Sequence, residues 1–191
     1  MVLSAIKLLV TRGLRWHRIK LAYLRGMRPD ELEQLVRLCW CEVLQHHVYV
    51  SAVEDINGLR RMGYRQVLLS GTIYPLAKVL ADELLLPDII AAEPEIIDHR
   101  YTGSLIRPHP HGKWKVRYAE AWLEAKGLDW STVTAVADHR DDYPLLERAA
   151  RAVVVCPQQG VSSARVRKGW VSVSPLQRGR LSEVLAGADK P

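Results

Sequence analysis

From Tyr64 onward the chain alternates short apolar runs with helical patterns, and this alternation restricts the fold more than any other feature. The runs in "YRQVLLSG", "STVTAVAD" and "RAVVVC" are continuously apolar and not alternately apolar and polar. Strands of that kind are covered on both faces, as in a parallel sheet with helices above and below it. Between them stand "YPLAKVLADELLL", "GKWKVRYAEAWLEAKG", which closes at Gly127, and "DYPLLERAA", each with apolar residues at helical spacing. "DIIAAEPEII" reads as strand, "DHRYTGSLI" as a hairpin turning near Thr102-Gly103, "VSSARVRKGW" as a short helix and "VSVS" as a last strand. The expected class is α/β, a Rossmann-like, doubly wound parallel sheet.

Before Tyr64 the pattern is helical throughout. Apolar residues from Ile6 to Leu24 recur at three- and four-residue spacings. Pro29 and Asp30 open a second helix, with Leu32, Leu35, Val36, Cys39, Trp40 and Val43 as its apolar stripe. A third runs from about Ser51 to Met62 and stops at Gly63. Residues 1–63 are expected to form a helical cap and residues 64–185 the α/β core.

With 191 residues the chain can bury one real core and carry a subdomain. Its apolar runs are too short to cross a bilayer, and the first residues lack a cleavage site. Cys39 and Cys41 face different sides of a helix and Cys156 is alone, which suits buried, reduced thiols in a cytoplasmic protein. The net charge of +6 is uneven. Residues 1–29 contain no Asp or Glu, but they do contain Lys7, Arg12, Arg15, Arg18, Lys20, Arg25 and Arg28. Such a stretch is either a solvated helix face or an attractor of anions, including weak contact of residues 1–28 with an anionic membrane. No nucleic-acid motif accompanies it.

In a doubly wound sheet, ligands bind at the carboxyl ends of the strands. Ser70, Gly71 and Thr72 end one strand, where hydroxyls and backbone N–H groups suit a phosphate. Asp138, Asp141 and Asp142 end another, and carboxylates there suit Mg²⁺ or cap the next helix. Lys113 or Lys115, at a helix start between them, can neutralise phosphate charge. His109 and His111, in the proline-rich "RPHPHGK", read as solvent-exposed loop residues and not as metal ligands.

The order of these pieces resembles the haloacid dehalogenase superfamily, in its phosphoserine-phosphatase-like branch. "VLLSGT" is similar to the family's second motif, which points to Ser70. "HGKWKV" is similar to the third, Gly-x-x-Lys-Val, which selects Lys115 over Lys113. "ADHRDDYPLL" is similar to the fourth, Asp-x-x-x-Asp-x-Pro-Leu-Leu, which selects Asp138 and Asp142, with His139 where Ser is frequent. The resemblance implies a phosphatase acting on a small phosphorylated metabolite or lipid phosphate. In that reading Ser70, Gly71 and Lys115 hold the phosphate and Asp138 and Asp142 hold Mg²⁺.

The family's first motif, Asp-x-Asp-Gly-Thr on the central strand, supplies the nucleophile, and this chain contains no such segment. "VEDINGL" offers Asp55 and Asn57, but it fits the helix that leads into "VLLSGT". The expectation is a core whose first strand is missing, through a misplaced start or a truncated gene. The alternative is an inactive phosphate-binding protein or a gene remnant.

Overall fold

The computed structural model describes residues 2–4, 21–155, 169–173, 181 and 183. In chain order the elements are β1 (Val2–Ser4), α1 (Pro29–Glu42), α2 (Val50–Arg61), β2 (Gln66–Ile73), α3 (Tyr74–Glu83) and β3 (Asp88–Ala92). They continue with β4 (Pro94–Ile97), β5 (Arg100–Leu105), α4 (Lys113–Ala125), β6 (Thr134–Ala137), α5 (Tyr143–Arg148), β7 (Arg151–Val155) and β8 (Val171–Val173). Six strands form one parallel sheet in the order β3-β2-β1-β6-β7-β8, while β4 and β5 form a separate antiparallel hairpin.

This order corrects the expectation of a missing first strand. β1 lies at the centre of the sheet and pairs with β2 on one side and β6 on the other. Residues 2–4 therefore belong to the core and not to a helical cap ending at residue 63. A three-residue strand is too short to show a period of its own, so it merged into the helical pattern beside it. In the sheet it pairs the backbone groups that β2 and β6 would otherwise leave bare inside the fold. The basic residues Lys7 to Lys20 and the helix expected at "VSSARVRKGW" lie outside the described residues, apart from Gly169 and Trp170.

Among the described residues the helical section has no separate core. Leu32, Val36 and Trp40 of α1 and Ile56 of α2 join Leu68, Ala77, Leu80 and Ala91 in one apolar cluster on one face of the sheet. On the other face Val67, Leu69, Ala135 and Ala137 pack against Ala119 and Leu123 of α4 and Leu145 and Leu146 of α5. Inward-facing residues alternate to opposite faces along β2, as a strand covered on both sides requires. Leu35 and Val43, expected in the buried stripe of α1, are exposed, and so is Cys41. The true stripe of α1 is the narrower Leu32–Val36–Trp40 row, at spacings of four.

The hairpin also turns elsewhere than its sequence suggested. Asp98 and His99, both at positive φ (49° and 59°), make the two-residue turn between β4 and β5. Gly103 sits inside β5, at φ +82°, where an added Cβ would stand 3.2 Å from the Leu21 carbonyl oxygen. Here glycine serves close approach to the 3-10 helix Leu21–Leu24, and not reversal of the chain.

Candidate functional site

Chain order reverses on either side of β1, so the crevice at the carboxyl ends of β2, β1 and β6 is the topological switch point. Register sets its geometry. Ser4 pairs with Leu68 on one side and with Val136 on the other, which makes those two residues level. Ser70 and Asp138 each follow two residues later. They thus end neighbouring positions across the sheet, separated by two strand spacings, about 10 Å.

Ser70 leaves the regular ladder. Leu69 pairs with Ile90 and Ile73 with Ala92, so three residues of β2 stand opposite one of β3. This bulge frees Ser70, Gly71 and Thr72 from strand pairing with β3. Within it the Thr72 N–H donates to Ser70 Oγ at 3.1 Å. α3 begins directly afterwards, with Pro75 in its first turn.

Lys115 stands in the first turn of α4, whose N-cap is Gly112 at φ +51°. It is buried while Lys113, the other candidate, is exposed. Its ammonium donates to Asp142 Oδ1 at 2.6 Å, with side chains only 8% and 4% exposed. Asp142 was expected as a metal ligand; here its carboxylate answers Lys115. Asp138 follows β6 with its Oδ1 out of reach of solvent. Among the described residues no group of three or more His, Cys, Asp or Glu side chains is placed to hold a metal ion. Asp55 and Asn57 lie within α2, where Asn57 Oδ1 accepts from Arg60, and form no part of the crevice's strand ends.

Sequence reasoning weighed His109 and His111 only as exposed loop residues or metal ligands and noted His139 in the fourth motif, and did not foresee that the three gather at this rim. Asp141 Oδ2 lies 3.0 Å from His139 Nδ1 and 3.9 Å from His111 Nδ1. His109, exposed as expected, rests on the bulge: a Cβ on Gly71 would stand 2.9 Å from its Cε1. The only signal was Gly71 itself, a residue without a side chain at a strand end.

The molecule is thus an open, doubly wound α/β protein whose polar side chains collect at the switch point. A family model described as haloacid dehalogenase-like hydrolase matches residues 3–147, and the chain belongs to that family. It is 26% identical over 153 residues to the phosphoserine phosphatase SerB1 of Mycobacterium tuberculosis, covering 80% of this chain and 50% of that protein. It is also 26% identical over 137 residues to a phosphoserine phosphatase of Streptococcus thermophilus, covering 72% and 60%. The chain spans about half the length of the first curated relatives it matches. Among solved structures, a protein of unknown function from Bordetella pertussis superposes with a TM-score of 0.74 at 24% identity, over 81% of this chain and 71% of that one. A probable phosphoserine phosphatase from Vibrio cholerae superposes with a TM-score of 0.62 at 15% identity, over 89% and 51%. At these identities the structures establish the fold alone.

Proposed function

We propose that the chain recognises the phosphate of a small phosphomonoester at the switch point, and that hydrolysis of that ester is the activity of the complete site. The observation that carries this reading is the buried Lys115–Asp142 pair at the edge of a crevice whose facing strand end bears Ser70 and Gly71. Asp142 fixes the ammonium, Lys115 offsets phosphate charge, and Ser70 with the backbone of the bulge supplies donors. Phosphoserine, a sugar phosphate and a lipid phosphate all present the required dianion.

Mg²⁺, which phosphatases of this family generally use, fits here only as a site completed by substrate. Asp138 would be its protein ligand, with phosphate and water filling the remaining positions, and the ion would neutralise phosphate oxygens. The resulting expectation is weak Mg²⁺ binding without substrate.

A second reading, phosphate binding without turnover, is favoured by a separate observation. β1 occupies the central strand position, yet residues 1–29 contain no Asp or Glu. Covalent transfer by the route of an aspartyl nucleophile needs a carboxylate in line with phosphorus.

The test uses the purified full chain with Mg²⁺. Phosphate release from phosphoserine, glycerol phosphate and p-nitrophenyl phosphate is measured beside calorimetric binding of inorganic phosphate. Turnover that is lost in Ser70→Ala and in the charge-free pair Lys115→Met/Asp142→Asn supports the hydrolase. Binding lost in the same variants, without turnover in the parent, supports the second reading. A folded parent that neither binds nor hydrolyses phosphate compounds overturns both.

A further inference from the structure

We infer that His109 is a phosphate ligand of this site, an imidazole that stands beside Gly71 at the end of β2. The inference rests on the phosphate reading above and adds to it a residue outside the matched motifs.

Contact with the bulge comes first. An ideal Cβ on Gly71 would lie 2.9 Å from His109 Cε1, 3.5 Å from His109 Nε2 and 3.3 Å from the Pro110 carbonyl oxygen. The edge of the ring therefore lies against the backbone of the bulge, one residue from Ser70. Any side chain at position 71 would push the ring away, so glycine here keeps room for the imidazole.

The loop that carries the ring is held at several points. The Ile106 N–H donates to the Glu93 carbonyl oxygen at 2.9 Å, and the Tyr118 hydroxyl donates to the Pro108 carbonyl oxygen at 2.6 Å. The His111 N–H donates to the His109 carbonyl oxygen at 2.8 Å, and the Trp114 N–H to that of His111 at 3.0 Å. Pro110 is buried between the two histidines. Six residues after His109 the chain reaches Lys115, so one anchored segment brings both an imidazole and an ammonium to the crevice. A loop held in this way leaves only the side-chain torsions of His109 to be ordered when the ring binds an anion.

Charge favours the same conclusion. Of the three carboxylates at this rim, Asp142 faces Lys115 and Asp141 lies 3.0 Å from His139 Nδ1 and 3.9 Å from His111 Nδ1, while Asp138 ends β6. Two of the three carboxylates that an incoming dianion meets thus stand beside a basic side chain. An imidazole N–H donating to a phosphate oxygen is a charge-assisted bond, stronger than a neutral one.

The experiment follows histidine ring nitrogens of the ¹⁵N-labelled full chain by NMR as inorganic phosphate is added, with calorimetry on variants. The His109 ring nitrogens should shift saturably. His109→Ala should bind phosphate about tenfold or more weakly, the usual worth of a hydrogen bond to a charged group. Because His109 is exposed, its thermal unfolding should match the parent. Gly71→Ala, which displaces the ring without removing it, should weaken binding in the same direction. Parent affinity in His109→Ala, with binding lost in Lys115→Met/Asp142→Asn, would overturn the role of His109 and leave the phosphate site standing. Absence of saturable phosphate binding to the parent overturns the phosphate site and this inference together.

Discussion

The ammonium of Lys115 lies 2.6 Å from Asp142 Oδ1, and the pair joins the first turn of α4 to the turn before α5 almost out of solvent. Burying two charges is costly, and the pair persists because each answers the other. Removing one partner strands a buried charge. Lys115→Met and Asp142→Asn should each destabilise the chain by about 3–5 kcal/mol, while the double variant should recover most of that loss. Urea unfolding of the four proteins gives the cycle directly. Two single losses that simply add would mean the groups do not depend on each other.

Gly103 combines a left-handed backbone with a neighbour at close range. Its φ of +82° disfavours any L side chain, and a Cβ would press on the Leu21 carbonyl oxygen at 3.2 Å. Gly103→Ala should therefore destabilise by about 1–3 kcal/mol, with an unchanged dependence on denaturant. Gly63, also at positive φ but with nothing within 4 Å, makes the comparison: Gly63→Ala should cost less. Equal midpoints for the two variants would contradict the close approach.

The sheet was legible because its strands are continuous apolar runs, and β2, β6 and β7 fall where "VLLSG", "TAVA" and "RAVVV" lie. The α/β pattern itself placed Ser70 and Asp138 at strand ends and either Lys113 or Lys115 at a helix start, and only the family resemblance chose Lys115 of the two. β1 was not, because three residues carry no period and only its pairing with strands distant in sequence reveals it. The turn at Asp98-His99 was hidden because a Gly four residues later offered a more familiar signal, which the structure uses for close packing. The gathering of the rim histidines was not legible for a different reason. Their placement depends on a loop folding back on Gly71, a tertiary contact to which no local spacing corresponds.

Asp129 caps the 3-10 helix Trp130–Thr132 that leads into β6, its Oδ1 accepting from the Ser131 N–H at 2.7 Å. Hydrogen bonds from the Ser131 side chain and backbone hold its pKa below the ordinary value of 3.8. A carboxylate lowered in the folded state stabilises the fold above its ordinary value, and that stability fades as pH falls through the lowered one. Asp129→Ala should thus be less stable than the parent at neutral pH. The gap should narrow in acid, as followed by thermal melts from pH 7 to pH 3. A gap independent of pH would assign the effect to packing and not to the charged cap.

Leu24 tests whether the helical section and the sheet unfold as one. It is fully buried on the 3-10 helix Leu21–Leu24 and belongs to the same apolar cluster as Trp40 of α1, Leu68 of β2 and Tyr101 of β5. The Gly26 N–H donates to the Tyr101 carbonyl oxygen at 2.8 Å and the Tyr101 N–H to that of Met27 at 2.9 Å, so hairpin and helices are tied beside it. Leu24→Ala should leave a cavity and cost about 2–5 kcal/mol. Because one core serves both regions, the loss should lower a single transition reported alike by tryptophan fluorescence and by far-ultraviolet circular dichroism. Two separated transitions, with only the helical one shifted, would show that residues 21–61 fold as an independent cap over the sheet.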